Sequence, residues 1–427
     1  MRIGLVSQWY EPEPAPIPSV LASELGKRGH TVKVLTGFPN FPQGRLYDGY
    51  RMAWRRDSLV SGVPVRRVAL VPSHGPSTLG RIANYGSFAA AAALWGTGFL
   101  TGVDGLWVAN SPPTVGLPTW VIKARYRPRV VLHIMDLWPE SLLAGGFGSI
   151  LRWRWLDRVL DKWLSMTYGT ADSIACSSRA QIDVLASRGV SRAKLSYVPI
   201  WVDETLFHPT EPDLALAAEL GVAGKTVLLY AGAIGEPQGL DPLIDVCRRL
   251  RNDQSFHCLI AGSGTAEARL RARAQELSLT NVSFLGRWPI QDIARLMSIG
   301  DVHLVSLRPD PIAEVAMPSK VPATLACGKP IIAAAQGEVA GLMSRSGAGW
   351  ACAPGDRDGL EAAIREALAA DGCRLQAFGK KARETYEAEF AVGTGVDRVE
   401  RLLAGGSPDT PVGTVVSADN GPRDQSE

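Results

Sequence analysis

The segment Pro318-Ser-Lys-Val-Pro-Ala-Thr-Leu-Ala-Cys-Gly-Lys-Pro-Ile-Ile-Ala333 brings together residue types that can hold an anion. Ser319 suits the N-cap of a short helix, and Pro322 falls in the first turn, where a missing N–H costs nothing. Gly328 fits the left-handed position past the last helical residue, and Pro330 prevents the helix from continuing. The apolar run Ile331 to Ala335 then reads as a central parallel strand. A helix start of this kind offers unpaired N–H groups and the positive end of the helix dipole, and Lys320 adds a full charge there. The chemistry predicted is phosphate binding. The competing reading is a well-capped surface helix with a solvated lysine.

Other residues of chemical interest follow strands. Gly232-Ala-Ile-Gly235, Gly262-Ser-Gly264 and Gly286-Arg287 each follow a predicted strand, where glycine allows a tight turn or close approach of a ligand. None of these loops spells G-x-G-x-x-G, and no G-x-x-x-x-G-K-[ST] loop occurs, so neither a dinucleotide cofactor nor a P-loop is supported. Asp136, just past the strand Val130–Met135, is either a polar group for an acceptor or the cap of the next helix. His133 within that strand reads as a core histidine. Glu140 either caps a helix or contacts substrate. Tyr10 and Glu11, in a proline-rich loop after the first strand, are acceptor-side candidates.

The elements that must position these residues alternate regularly. Strands are predicted at Arg2–Ser7, Thr31–Thr36, Val63–Leu70, Gly105–Ala109, Val130–Met135 and Ser173–Cys176. A second series follows at Thr226–Ala231, Cys258–Ala261, Val282–Leu285, Val302–Ser306 and Pro330–Ala335, with helical segments between. One of those helices is placed at Ser19–Arg28, capped by Ser19. Such alternation predicts parallel sheets covered by helices, an α/β chain of two doubly wound domains whose strand carboxyl ends face a cleft. The boundaries expected are 1–200, 201–375, a helical segment 376–404 crossing back to the first domain, and a disordered tail 405–427 rich in Gly, Pro, Ser and Asp.

Composition narrows the function classes. The 427 residues exceed one compact core, and 46% hydrophobic with 20% charged residues is ordinary for a globular protein. A net charge of only +3 argues against a dedicated nucleic-acid binder. Six cysteines without a C-x-x-C pair suggest reduced thiols in a cytoplasmic protein, with neither a metal site nor a disulfide framework. The first residues begin a strand, with no signal peptide evident. The longest apolar stretch, Phe88 to Leu100, is too short to span a bilayer, which needs about 20 residues.

The order of these landmarks resembles the retaining glycosyltransferases of family 4, which have the GT-B fold. The resemblance rests on Tyr230-Ala-Gly-Ala-Ile-Gly-Glu-Pro-Gln-Gly-Leu-Asp241, Leu259-Ile-Ala-Gly-Ser-Gly264, Asn281-Val-Ser-Phe-Leu-Gly-Arg287 and Leu325-Ala-Cys-Gly-Lys-Pro330. In the first half, the stretch Leu25 to Pro42 and Met135-Asp-Leu-Trp-Pro-Glu-Ser141, together with Pro-Ser-Lys, are similar to one subgroup. Its members are the amino- and deoxysugar transferases of O-antigen, capsule and colanic-acid assembly. Many family members carry two glutamates eight residues apart. Here Glu314 is one residue out of register for the first, and Ala323 occupies the second position. The usual Arg and Lys of the donor loop fall at Ala233 and Gln238, leaving Lys320, helped by the Ser319 helix end and Arg308, to neutralise the diphosphate.

The resemblance implies transfer of a sugar from a nucleotide donor, a UDP-sugar, to a lipid-linked saccharide on the cytoplasmic membrane face. Retention, no cofactor and no metal are part of that implication, since no DxD motif suits a cation in a flexible loop. Donor contacts then fall to Gly232, Gly235, Gly262, Gly264, Arg287, Ser319 and Lys320, with Asp136 and Lys320 catalytic. Acceptor contacts fall to Tyr10, Glu11 and Glu140. Membrane contact is expected through the apolar segment 84–100 and through 150–168, where Trp153, Trp155 and Trp163 interleave with Arg152, Arg154, Arg158 and Lys162. Two alternatives remain: a soluble glycosyltransferase tailoring a natural product or phosphoglycolipid, and a non-catalytic nucleotide-sugar-binding protein of the same fold.

Overall fold

The computed structural model describes residues 1–74, 77–140 and 154–407. The first eight strands are β1 (Arg2–Val6), β2 (Thr31–Gly37), β3 (Arg55–Val60), β4 (Val63–Val68), β5 (Gly105–Ala109), β6 (Arg129–Ile134), β7 (Ser173–Cys176) and β8 (Leu195–Tyr197). They form one sheet in the order β3-β4-β2-β1-β5-β6-β7-β8. The next six are β9 (Thr226–Ala231), β10 (Phe256–Ala261), β11 (Val282–Gly286), β12 (Val302–Ser306), β13 (Ile331–Ala334) and β14 (Gly349–Cys352), ordered β11-β10-β9-β12-β13-β14. Every described pairing is parallel except β3 with β4. The expected pair of doubly wound α/β units is what the chain forms.

Continuous apolar strands explain this architecture. Ile3 and Leu5 of β1 pack on one face with Leu21 and Leu25 of helix Pro16–Lys27, while Val6 packs on the other with Phe88 and Leu106. In β9, Leu228 and Tyr230 face one layer and Val227 and Leu229 the opposite one. Strands wetted on neither face need helices on both, and those helices require parallel crossovers.

Several local features depart from what the sequence indicates. Residues 55–60 form a strand that pairs antiparallel with β4 across the turn Ser61-Gly62, whose φ values of +50° and +80° suit a two-residue hairpin. The first helix begins at Pro16, not Ser19, because prolines at its first turn lose no helical bond. Ser19 lies inside that helix, its hydroxyl donating back to the Ala15 carbonyl at 3.4 Å. The stretch 84–100 is mostly core: Phe88, Ala89, Ala92 and Leu100 are buried, and the outward residues are Leu94 and Trp95. Likewise Trp163 turns inward, stacking on Trp120 at 4.3 Å and donating to the Pro113 carbonyl at 3.0 Å. Trp153 lies outside the described residues.

Two connections join the halves. The chain leaves the first sheet after Tyr197, and after helix Gly372–Thr385 it returns, so that helix Val392–Ala404 packs on the first sheet. Glu204 ties the crossings together, accepting from Tyr386 Oη at 2.9 Å and the Val392 N–H at 3.0 Å. Further contacts bridge the halves directly. Ser178 Oγ donates to the Val315 carbonyl, and the buried Glu338 accepts from the Ala180 N–H at 3.0 Å. The last helix is held by apolar burial of Val396, Val399, Leu402 and Leu403, and by Arg28 ion pairs to Asp397 and Glu400. Burial should dominate: Leu402→Ala is expected to cost about 2–5 kcal/mol and Arg28→Ala under about 1 kcal/mol. Denaturant unfolding of the two variants measures the difference.

Candidate active site

The carboxyl ends of β9, β10, β12 and β13 meet at one edge of the second sheet, and Lys320 reaches into that edge. It is the first residue of helix Lys320–Ala326, reached through a turn in which the Val321 N–H donates to the Pro318 carbonyl at 2.9 Å. Gly328, at φ +63°, and Pro330 end the helix as the sequence indicates. Ser319 differs from expectation. It adopts helical backbone angles and makes no side-chain cap bond, so its place is at the exposed helix start without a capping role.

Lys320 Nζ donates to Tyr230 Oη and lies 3.8 Å from the centre of the Tyr230 ring. Tyr230 is fully buried, and its hydroxyl donates a hydrogen bond to the Ala233 carbonyl. Burial lowers the Lys320 ammonium to a pKa of about 7, and no carboxylate among the described residues pulls it back. The lysine is thus a half-desolvated cation lacking a counter-ion. That property singles it out from the solvated surface lysine that was the competing reading.

The glycines make the recess. A Cβ on Gly232 (φ +141°) would collide with the Lys320 side chain, and one on Gly262 (φ +139°) would overlap the Gly232 carbonyl. On Gly264 it would overlap the Ile234 carbonyl. The two loops are sewn together by Gly232 N–H to Ala261 O at 2.9 Å and Ile234 N–H to Ser263 O at 3.0 Å. Gly262 and Gly264 therefore serve backbone packing between loops, and Gly232 makes room for the lysine. Gly235 donates to Gln238 Oε1 at 3.0 Å, so Gln238 closes the loop on itself. Ala323 faces the apolar interior, and Glu314 accepts from Gln336 Nε2 at 2.9 Å. Arg308 lies 3.7 Å from Glu236, and Arg287 is exposed past the end of β11.

The first domain presents its own carboxyl-end edge. Asp136 follows β6 and accepts from Ser111 Oγ, which follows β5. The residue keeps an open surface, yet surrounding protein crowds its carboxyl and raises the pKa, opposed by the Ser111 hydrogen bond. Nearby stand four partly exposed rings that sequence reading missed: Trp9, Phe41, His74 and Tyr85. Phe41 lies 5.2 Å from Trp9 and 4.5 Å from His74, and Tyr85 is 6.4 Å from Trp9. They come from four separate loops and helices, which no local pattern could group. Glu13 was also missed. It is buried, accepts from the Tyr10, Asn40 and Phe41 N–H groups, and is raised to about 7 by burial.

The other first-domain candidates are engaged within the protein. Tyr10 is 1% exposed and packs in the core beneath the sheet edge, so it is corrected to a structural residue. Glu11 Oε2 accepts from Ser61 Oγ at 3.0 Å, pointing at the β3–β4 turn. Glu140 is ion-paired with Arg188 past the end of helix Arg179–Ser187. His133 is a core histidine, its Nε2 donating to the Val198 carbonyl at 2.9 Å and burial lowering it to about 4.

Among the described residues no group of three His, Cys, Asp or Glu side chains could hold a metal ion. Asp356-Arg-Asp358 does spell D-x-D, but Asp356 caps helix Arg357–Ala369 and Asp358 pairs with Arg249. No described helix is long and apolar enough to cross a membrane.

Two doubly wound sheets whose carboxyl ends carry the candidate groups define the GT-B class. The model for glycosyl transferase 4-like domains matches residues 17–201, and that for glycosyl transferases group 1 matches 216–385. WcaI of Escherichia coli K12, named for glycosyl transfer in colanic acid biosynthesis, is 29% identical over 358 residues, covering 81% of this chain and 86% of its own. WbjE of Pseudomonas aeruginosa, named as a glycosyltransferase, is 24% identical over 61% of this chain and 64% of its own. Among solved structures, Anabaena Alr3699/HepE in complex with UDP superposes with a TM-score of 0.69 at 17% identity, covering 95% of this chain and 100% of that one. That likeness speaks to fold. The chain belongs to the family 4 glycosyltransferases and is a glycosyltransferase enzyme.

The loop packing makes a structural prediction. Gly262→Ala must adopt a strained φ and push Gly232 aside, so a loss of about 2–4 kcal/mol is expected. Gly286→Ala, where a Cβ meets nothing within 4 Å, carries only the φ strain of about 1–2 kcal/mol. Thermal unfolding ranks the two.

Proposed function

We propose that this enzyme transfers a sugar from a UDP-sugar to a lipid-linked saccharide during assembly of a bacterial surface polysaccharide. The transfer proceeds with retention, on the cytoplasmic face of the membrane. One observation carries the donor half of this reading: the unpaired Lys320 ammonium at the edge where the glycine loops meet. A diphosphate supplies the counter-charge that the lysine lacks, and the developing charge on the leaving group makes that contact strongest in the transition state. Arg308, Arg287 and the free N–H groups at Ser319 add weaker attraction. Departure of the diphosphate needs no metal in this scheme, and its oxygen can take the acceptor proton on the same face of the sugar.

On the opposite edge, Asp136 orients the acceptor hydroxyl, and the Trp9, Phe41, His74 and Tyr85 rings give apolar faces for a sugar ring. The similarity to WcaI supports surface polysaccharide as the destination, and the UDP complex of the structurally similar Alr3699/HepE supports the uracil base.

Two measurements test the lysine. Lys320→Met removes the charge while keeping apolar volume, and it should cut transfer by about 10²–10³-fold with stability unchanged or raised. Near-normal turnover by that variant removes the assignment. The pH dependence of binding gives the second test, read with UDP-glucose, whose phosphates have no titrating proton near neutrality. The free ammonium titrates near 7 and is raised by a bound diphosphate. Binding should therefore be level below that pH and weaken by up to about tenfold per pH unit above it. Calorimetry in two buffers of different ionisation heat should record proton uptake on binding above pH 7. Lys320→Met should abolish it.

A further inference from the structure

Trp54, just ahead of β3, is 68% exposed, and Leu94, beside Trp95 in the turn after helix Thr78–Ala91, is 71% exposed. The Trp54 and Trp95 rings meet at 4.9 Å, so the exposed Trp54 leans on a Trp95 that is itself 36% exposed at the surface of the first domain. Exposed Leu59 lies on the same hairpin. Several cations lie on the same hairpin and beside Trp95. Arg55 and Arg56 follow Trp54 directly and are exposed. The Arg66 guanidinium lies 4.8 Å and Lys33 Nζ 5.4 Å from the centre of the Phe99 ring, and Arg66 also donates to the Trp95 carbonyl at 3.5 Å. Asp57, paired with Arg66, offsets one of these charges.

The geometry points to this surface as the place where the protein docks on an anionic lipid bilayer. Tryptophan is favoured at the headgroup level because its ring is apolar and its N–H can stay hydrated. Arginine adds attraction to acidic lipid, about 1 kcal/mol for each residue near the surface. An exposed tryptophan and leucine gathered around a second, partly exposed tryptophan form an apolar patch of the kind that marks an interaction site. A second copy of the chain fits the surface poorly. β3 is the outermost strand of its sheet, and the charged Arg55, Arg56 and Asp57 along it disfavour edge-to-edge pairing with another strand.

This placement differs from the two segments that sequence alone suggested, the second of which lies partly outside the described residues. Residues 84–100 contribute their end, not their helical face, and the partner is a hairpin that periodicity did not reveal. The lipid-linked acceptor proposed above gives the docking its purpose, but the docking is tested by binding alone.

Flotation of the full chain with phosphatidylcholine vesicles, with and without phosphatidylglycerol, at low and high salt, is the experiment. The wild type should float with the acidic vesicles and be released by salt. Trp54→Ala/Trp95→Ala should lower partitioning by about tenfold or more on both vesicle types. Arg55→Glu/Arg56→Glu should remove the preference for the acidic lipid. Val159→Ala/Met166→Ala, on exposed positions of helix Arg154–Thr170, should float like wild type. UDP-glucose binding by each variant should be unchanged, which separates failure of the surface from failure of the donor site. The proposal is overturned if the wild type does not float, or if the tryptophan variant floats equally well. It is overturned too if sedimentation without lipid shows a dimer that the tryptophan variant dissolves, since that assigns the surface to a second copy.

Discussion

A lysine ammonium held against a buried tyrosine, largely out of water and with no carboxylate among the described residues beside it, is the interaction on which the candidate edge of the second domain depends. Holding Lys320 there lowers its proton affinity by several orders of magnitude, and the fold bears that cost. An arrangement of this kind is unfavourable for stability and favourable for binding a dianion. The Tyr230 hydroxyl gives the ammonium one acceptor and the ring gives it a π face, which is enough to fix its position but not to satisfy it.

The surrounding glycines follow from that need. Two loops from adjacent parallel strands must approach more closely than any Cβ allows, so that their backbones bond to one another and leave a recess at the lysine. Gln238 fastens the first loop internally, in a position where many relatives are expected to carry a cation. The first domain is built on a different principle. Its edge is lined with aromatic rings over a buried carboxylate, Glu13, that gathers the loops after β1 and β2 through three N–H bonds. The edge proposed for the donor is thus built around a cation, and the edge proposed for the acceptor around apolar rings. Glu204 and the returning C-terminal helix hold the two in register.

Much of the fold was legible because parallel strands buried on both faces are written as unbroken apolar runs, from Ile3–Val6 to Ile331–Ala334. What escaped was structure without that signature. β3 is exposed along its length, with charges in place of the apolar run, and only its Ser61-Gly62 turn announces it. Ser19 and Ser319 both looked like caps by residue type. In each case the chain had already turned helical before the serine, through Pro16 in one and the Pro318 turn in the other. Tyr10 was read as a loop residue facing substrate, whereas its apolar ring found the core.

The amino-acid sequence by itself determined the two doubly wound sheets and the place of Lys320 at the start of a helix ended by Gly328 and Pro330. Those features depend on local periodicity and on backbone rules acting over a few residues. Only the tertiary structure decided that Lys320 leans on Tyr230, ninety positions earlier in the chain. It alone also brought Trp54 to Trp95, and the four first-domain rings beside Asp136. Such contacts depend on which strand ends become neighbours, and that is settled by crossover topology and packing, to which no short stretch of sequence is sensitive.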